Sequence, residues 1–155
     1  MISIDRFKRL QELFFKKVTQ CCNPSTVTLK FIKVTSTGTY TDFTGDSQRE
    51  VEKEVVLKCF YMRNISDKQR EKVGVNESVT DILYISPIEL KNKYGSSTFP
   101  DYVRKSYSQM SVTFLGEHYE IDSIRDLEPM HNGKEYVCLA YQINLRATTG
   151  NRDFN

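Results

Sequence analysis

The chain has 155 residues, of which 39% are hydrophobic and 27% are charged, as expected for an ordinary soluble domain with room for one core. Its 22 basic and 20 acidic residues leave a formal charge of only +2, which argues against a dedicated DNA-binding protein with a concentrated basic surface. No apolar run approaches the roughly 20 residues of a membrane span, and the start lacks the apolar core of a signal peptide. We therefore expect a single cytosolic domain over residues 1–155, with no membrane partner.

The first segment predicts an amphipathic helix over residues 3–22, with Ser3 as its N-cap. Apolar residues that recur at intervals of three and four share one face of this helix: Ile4, Phe7, Leu10, Phe14, Val18 and Cys21, with Leu13 beside them. Phe15, Lys16 and Lys17 fall outside that stripe and are candidates for contact with a partner. Two interpretations stay open, since the helix either packs on a sheet or docks on a partner subunit.

A strand, a long polar segment and a second strand follow. Residues 26–34 read T-V-T-L-K-F-I-K-V, which predicts a strand with a bulge or an end of pairing near Ile32. Residues 36–50 are rich in Thr, Ser, Gly and Asp, and we interpret them as a long exposed loop. Residues 54–62 predict the second strand. Val55, Leu57, Cys59 and Tyr61 are in phase along this strand.

Two capping boxes organise the middle of the chain. Ser66-Asp67-Lys68-Gln69 predicts a short helix that Gly74 ends. After an apolar strand over residues 80–85, Ser86-Pro87-Ile88-Glu89 predicts a second short helix that runs to about Tyr94. Residues 95–107 give no clear assignment.

Aromatic and basic residues interleave between Lys91 and Tyr107. The aromatics are Tyr94, Phe99, Tyr102 and Tyr107, and the cations are Lys91, Lys93, Arg104 and Lys105. Three interpretations are open: aromatics that anchor an irregular loop on the barrel, a protein–protein contact, or a surface on which nucleic-acid bases stack. We take Tyr94, Phe99, Tyr102, Arg104 and Tyr107 as candidates for a partner interface.

The last third of the chain predicts a hairpin and one long strand. Gly116-Glu117 suits a type II′ turn, and Val112, Phe114, Tyr119 and Ile121 then fall on one face. The final strand alternates between two sets of residues, and we expect the first set to face a core and the second to face water. The first set is Val137, Leu139, Tyr141, Ile143 and Leu145, and the second is Cys138, Gln142, Asn144 and Arg146. Residues 147–155 form a polar tail.

The predicted elements define a mainly β fold. We expect an antiparallel β-barrel or sandwich of about six strands over residues 26–146, with an N-terminal α-helix and one or two short helices.

Motifs of catalysis or metal binding are not apparent in the sequence. It contains no glycine-rich phosphate loop and no G-x-S-x-G nucleophile elbow. The four cysteines, at positions 21, 22, 59 and 138, lack the spacing of a zinc site, and only two histidines accompany them. We interpret the cysteines as free thiols of a reducing compartment and expect no enzyme, cofactor or metal.

Three features in this order resemble the stopper, or head-completion, proteins of tailed bacteriophages. They are the strand, long polar loop and strand of residues 26–62, the hairpin S-V-T-F-L-G-E-H-Y-E-I-D-S-I-R-D-L, and the final strand Y-V-C-L-A-Y-Q-I-N-L-R. Together they cover about half of the chain. The resemblance implies a structural virion protein that assembles in the host cytoplasm as a ring homo-oligomer. Its partners would be the phage adaptor and portal ring, tail proteins, and packaged double-stranded DNA bound non-specifically in the channel.

In that family the matching loop can project into the ring channel and help to hold DNA. Carried over to this chain, the loop is residues 38–49, with Gly38, Asp42, Phe43, Asp46 and Arg49 as candidate gate residues. Lys33 and Glu50 would face the channel or a neighbour. The large N-terminal helix and the long 65–107 region also fit a related neck component, a tail-terminator ring. An alternative from a different class of protein is a nucleic-acid-binding barrel that uses residues 94–107.

Overall fold

The computed structural model describes residues 4–20, 25–35, 48–132 and 135–147. Within these ranges the chain forms four α-helices and eight β-strands. The helices are α1 Ile4–Gln20, α2 Asp67–Val73, α3 Pro87–Tyr94 and α4 Asp101–Lys105. The strands are β1 Ser25–Thr35, β2 Gln48–Met62, β3 Asp81–Ile85, β4 Met110–Phe114, β5 Glu117–Leu127, β6 Met130–Asn132, β7 Glu135–Val137 and β8 Ala140–Ala147.

Six strands close into an antiparallel barrel in the order β1-β2-β3-β8-β5-β4, and β4 pairs back onto β1. Strands β6 and β7 form a separate two-stranded sheet. The predicted mainly β fold with an N-terminal helix is confirmed, and of the two predicted architectures the barrel is the observed one. Closure gives each of the six strands a neighbour on both sides for part of its length.

The barrel is filled by side chains that alternate along its strands. The largest fully buried ones include Phe31, Leu57, Phe114, Tyr141 and Ile143. The predicted shared face of the β4–β5 hairpin is confirmed, because Val112, Phe114, Tyr119 and Ile121 are all buried in this core. Tyr61, predicted to be in phase with Val55, Leu57 and Cys59, packs its ring 5.1 Å from the Phe114 ring, although it lies near the end of its strand and is 44% exposed.

Helix α1 packs on the outside of the barrel, against β2 and α3. Phe7 and Val18 are buried, and the Phe14 ring lies 5.6 Å from the Phe60 ring in an edge-on contact. Packing on the sheet, the first of the two interpretations for this helix, is therefore observed. The helix is described from residue 4 to residue 20, within the predicted range of 3–22.

The buried stripe of α1 is narrower than predicted. Leu10 is 38% exposed and Leu13 is 55% exposed, so the expectation that both join the stripe is wrong. The buried face instead includes a polar residue, Gln11, whose Nε2 donates a 2.6 Å hydrogen bond to the carbonyl of Cys138. The helix contacts the barrel along the line of Phe7, Gln11 and Val18, and this orientation turns the two leucines outward.

A segment around α2 covers the outer face of β3. The predicted capping box is confirmed, because Ser66 and Gln69 exchange side-chain and backbone hydrogen bonds. Gly74 ends the helix in the left-handed region, as predicted. Ile65 and Val79 pack with Ile82 in a second, smaller apolar cluster outside the barrel.

The outward side of β8 is buried, contrary to the prediction that Gln142 and Asn144 face water. The Gln142 amide donates to Asn144 Oδ1 at 2.9 Å, and Asn144 Nδ2 donates to Ser123 Oγ at 2.8 Å. Arg125 on β5 donates to the carbonyl of Val73, at the end of α2, which places the α2 segment against this side of the sheet. The polar side chains are tolerated in this buried position because they form hydrogen bonds with one another.

The turn of the β4–β5 hairpin differs from the prediction by one residue. Val112 pairs with Tyr119 and Phe114 with Glu117, so the two turn residues are Leu115 and Gly116. Both have positive φ, 52° and 80°, which is the signature of a type I′ turn. The predicted type II′ turn at Gly116-Glu117 is therefore wrong, although the faces of the two strands are as predicted.

Two predicted boundaries also need correction. Strand β2 begins at Gln48, so residues 48–50 belong to a strand and not to the predicted 36–50 loop. The predicted final strand is divided into two strands, β7 and β8. Strand β7 pairs with β6, and β8 begins at Ala140. Between them the N–H of Leu139 donates a 2.9 Å hydrogen bond to the carbonyl of Leu127. The predicted irregularity near Ile32 is confirmed by a register shift between Phe31 and Ile32.

Candidate functional site

Strands β1 and β2 form a two-stranded arm that continues past the barrel wall. The pairing of β1 with β4 stops at Phe31 opposite Met110, whereas β1 and β2 stay paired as far as Thr35 opposite Gln48. The arm comprises residues 32–35 and 48–51, and within the described residues its strands pair only with each other. Val34 and Val51 on the arm are exposed, as are Lys33 and Glu50, which pair across the two strands.

Most of the candidate gate residues lie in the sequence between β1 and β2. Gly38, Asp42, Phe43 and Asp46 lie outside the described residues. Arg49 is part of β2, opposite Val34, and its backbone alone is described. Lys33 and Glu50, predicted to face a channel or a neighbour, occupy the exposed part of the arm.

The base of the arm is held by contacts with the end of α3 and with α4. Phe31 pairs with Lys53 and Ile32 with Val51, so Glu52 is the extra residue of a bulge in β2. The Tyr102 hydroxyl donates a hydrogen bond to the Glu52 carboxylate. The Lys53 ammonium donates to the carbonyl of Tyr94 and lies 5.2 Å from the centre of the Tyr94 ring. These contacts fix the direction in which the arm leaves the barrel.

The basic–aromatic segment closes the end of the barrel from which the arm projects. Phe99 lies 4.9 Å from the Tyr141 ring, and Tyr94 lies 4.5 Å from the Phe31 ring. Tyr102 and Tyr107 are half-buried and pack against the same core. Anchoring of an irregular segment on the barrel, one of the three interpretations of this stretch, describes the position of these aromatics.

Phe99 and Arg104 have structural contacts that the sequence did not indicate. Phe99, a candidate interface residue, is 3% exposed and packs in the barrel core, so little of its side chain is accessible. Arg104 forms a 2.7 Å ion pair with Asp126 and lies over the rings of Phe99 and Tyr141. Tyr141 in turn donates its hydroxyl proton to the carbonyl of Ser97 at 2.6 Å. Helix α4 is thereby fastened to β5 and β8.

The three interface candidates on α1 are accessible. Lys16 and Lys17 are exposed, and Phe15 is half-buried. Lys16 and Lys17 border a shallow depression of about 400 Å³ whose floor includes Phe60 of β2. This face of the helix is separate from the arm.

A polar network at the opposite end of the barrel is not evident from the sequence. The Tyr119 hydroxyl donates to Glu117 at 3.1 Å and also interacts with Asp81 and Arg63. Asp81 is buried and accepts the N–H of Asn64 at 2.9 Å. Burial raises the pKa of Tyr119 to about 12, and the bond with Asp81 acts in the same direction. These residues start or end three different strands, so a local pattern gives no signal of their meeting.

The chemistry available to the described residues is limited. Among them, no group of three His, Cys, Asp or Glu side chains is placed to hold a metal ion. Cys59 and Cys138 are buried free thiols, and burial raises the pKa of each to about 12. His118 shares a 2.9 Å hydrogen bond with Thr113 across the β4–β5 hairpin. In the part of the chain that the structure describes, no helix is both long and apolar enough to cross a bilayer.

Neither the protein-family models nor the curated proteins compared with this chain gave a match. The arm, the barrel and the exposed face of α1 are therefore the features on which a functional proposal depends.

Proposed function

We propose that the chain is a non-enzymatic structural protein of the neck of a tailed bacteriophage, a stopper subunit that joins the portal–adaptor complex to the tail and helps to retain packaged DNA. The observation that carries the proposal is the β1–β2 arm, which stays paired for four residue pairs beyond the last contact of β1 with β4. A closed barrel that extends one hairpin agrees with the resemblance to stopper proteins.

The contacts at the base of the arm support a role in which the arm must point in one direction from the barrel. Tyr102 bonds to Glu52, the bulge residue, and the Tyr94 carbonyl bonds to the neighbouring Lys53, so the arm is fixed to the end of the barrel that the basic–aromatic segment closes. In a ring of such subunits the arms would be related by the rotation axis, and the proposal requires that they point toward it. Gly38, Asp42, Phe43, Asp46 and Arg49 would then meet the DNA in the channel.

The charge of the arm suits passage and retention of DNA better than tight binding. On the arm Lys33 lies opposite Glu50, and in the adjoining part of the barrel Lys30 lies opposite Glu54. Because DNA affinity rises steeply with the number of phosphates that cations neutralise, this alternation limits the affinity of each arm. A ring of such arms contacts DNA non-specifically without clamping it.

The test is the addition of purified protein to tail-less, DNA-filled heads of the phage that encodes the chain, followed by sedimentation and electron microscopy. The proposal expects saturable binding at the single portal vertex and less DNA leakage. A variant in which residues 38–46 are replaced by a glycine–serine segment of equal length should still bind the heads but should retain less DNA. A variant with Lys68→Glu and Lys72→Glu on α2 serves as the matched surface control.

Other outcomes contradict the proposal in different ways. Binding to tail tubes in place of heads would assign the chain to a tail-terminator ring. Binding to neither, with the fold intact by circular dichroism, would overturn the neck assignment. A salt-sensitive affinity for single-stranded nucleic acid would then favour the barrel module that uses residues 94–107.

A further inference from the structure

Helix α1 has an exposed side that carries cations and leucines together. Seven residues fall within a sector of about 120° when 100° is allowed per residue, and all seven are exposed. They are Arg6, Arg9, Leu10, Leu13, Lys16, Lys17 and Gln20. The two acidic residues of the helix, Asp5 and Glu12, lie outside this sector. We call these seven residues the basic face of α1.

The basic face exposes two leucines side by side. Leu13 is 55% exposed and Leu10 is 38% exposed, and they are neighbours at a spacing of three. A depression of about 400 Å³ follows toward the C-terminal end of the helix and is lined by Lys16, Lys17, Gln20 and Phe60. The basic face therefore offers two apolar side chains, a recess with an aromatic floor, and cations around both.

The neighbouring strand reinforces the positive charge. Lys58 on β2 directs its ammonium group to the carbonyl of Thr19 at 3.4 Å, in the last turn of α1. A cation at this point also interacts favourably with the negative end of the helix dipole. The cations of the basic face thus have a further cation beside them at the C-terminal end of the helix.

We propose that the basic face of α1 is a docking site for an acidic, leucine-bearing helical segment of a partner protein. Cations at the rim attract carboxylates, and Leu10, Leu13 and the recess at Phe60 receive apolar side chains. The exposed leucines favour a protein segment over nucleic acid, whose affinity depends on phosphates. A membrane surface is disfavoured because the broad apolar side of α1, with Phe7 and Val18, is already buried on the barrel. This inference does not depend on the arm or on a role in a phage neck.

The test uses the full-length protein and a fluorescein-labelled helical peptide of about five turns, with leucines at intervals of three and four and glutamates elsewhere. Fluorescence anisotropy gives the affinity, and a peptide with glutamine in place of glutamate tests the charge. Lys16→Glu/Lys17→Glu and Leu13→Ser alter the basic face. Lys68→Glu/Lys72→Glu makes the same charge change on α2, where both lysines are exposed.

The proposal expects binding of the acidic peptide that falls about tenfold or more in each basic-face variant and with the glutamine peptide, and that is unchanged by the α2 variant. All substituted side chains are exposed, so each variant should keep the circular dichroism spectrum of the parent protein. Absence of binding, or equal affinity in all variants, would overturn the proposal. Tighter binding of duplex DNA or of phosphatidylserine vesicles through the same residues would also overturn it.

Discussion

The carboxylate of Glu89 accepts a 3.1 Å hydrogen bond from the backbone N–H of Lys58, so helix α3 takes over from β3 as the partner of β2. Strand β3 pairs with β2 only over residues 60–62, after which the chain turns at Ser86 into α3. Ser86 Oγ accepts the N–H groups of Ile88 and Glu89, which fixes the start of the helix. A strand edge that would otherwise be open is thereby covered by a helix.

Removal of this carboxylate should lower stability. In Glu89→Ala the partly buried Lys58 N–H loses its acceptor, and we expect a loss of about 1–3 kcal/mol in the free energy of unfolding, measured by urea denaturation. Glu89→Gln keeps an acceptor oxygen at the same position and should lose less. Glu71→Ala on the exposed side of α2 is the control for loss of a carboxylate. Equal stability of Glu89→Ala and the parent protein would contradict the role assigned to Glu89.

The core position of Phe99 gives a second prediction. Phe99→Ala should lower the free energy of unfolding by about 3–5 kcal/mol, because it opens a cavity against Phe31 and Tyr141. Phe99→Leu should lose much less, and Tyr102→Phe, which removes only the bond to Glu52, should stay within about 1 kcal/mol. Thermal and urea denaturation measure these differences. A Phe99→Ala variant as stable as the parent protein would place this ring outside the core.

Local signals in the sequence predicted much of the fold. The alternation of Val112, Phe114, Tyr119 and Ile121 predicts a buried hairpin face because strand side chains alternate with a period of two. The Ser66 capping box predicts the start of α2 because its hydrogen bonds involve residues three apart. Both signals are complete within a few residues, so they do not depend on the rest of the chain.

Features that depend on distant segments were not predictable in the same way. Gln142 and Asn144 alternate with core residues as solvent-facing residues do, but the α2 segment, which comes from elsewhere in the chain, covers them. Leu10 and Leu13 lie at helical spacing with buried residues, and only the angle at which α1 meets the barrel turns them outward. The same holds for Arg104, whose partner Asp126 lies 22 residues away.

The turn residue Leu115 offers a way to raise stability. Leu115 has φ of 52° in a type I′ turn and is 51% exposed, so its side chain contributes strain and little burial. Leu115→Asn should raise the free energy of unfolding by about 0.5–1 kcal/mol, since asparagine tolerates the left-handed region. Gly116→Ala, at φ of 80°, should lower it by about 1–2 kcal/mol. A destabilised Leu115→Asn variant would indicate that Leu115 makes an apolar contact worth more than the strain.

The buried thiols make stability depend on alkaline pH. Burial raises the pKa of Cys59 and of Cys138 from 9.0 to about 12, so above pH 9 the unfolded chain loses thiol protons that the folded chain keeps. Stability from this source is fully present below pH 9 and is lost as the pH rises toward 12. Ionisation of each thiol in the unfolded chain should lower the free energy of unfolding by about 1–1.5 kcal/mol as the pH rises from 8 to 10.

The contribution of a single thiol can be isolated with a variant. Cys59→Ala starts less stable than the parent protein but should lose about 1–1.5 kcal/mol less between pH 8 and pH 10, as measured by urea denaturation at both values. Val55→Ala, a non-ionisable change in the same strand and core, should lose as much stability over this interval as the parent protein. If Cys59→Ala shows the same pH dependence as Val55→Ala, the Cys59 thiol ionises as readily in the folded protein as in the unfolded chain, and its burial does not control its proton.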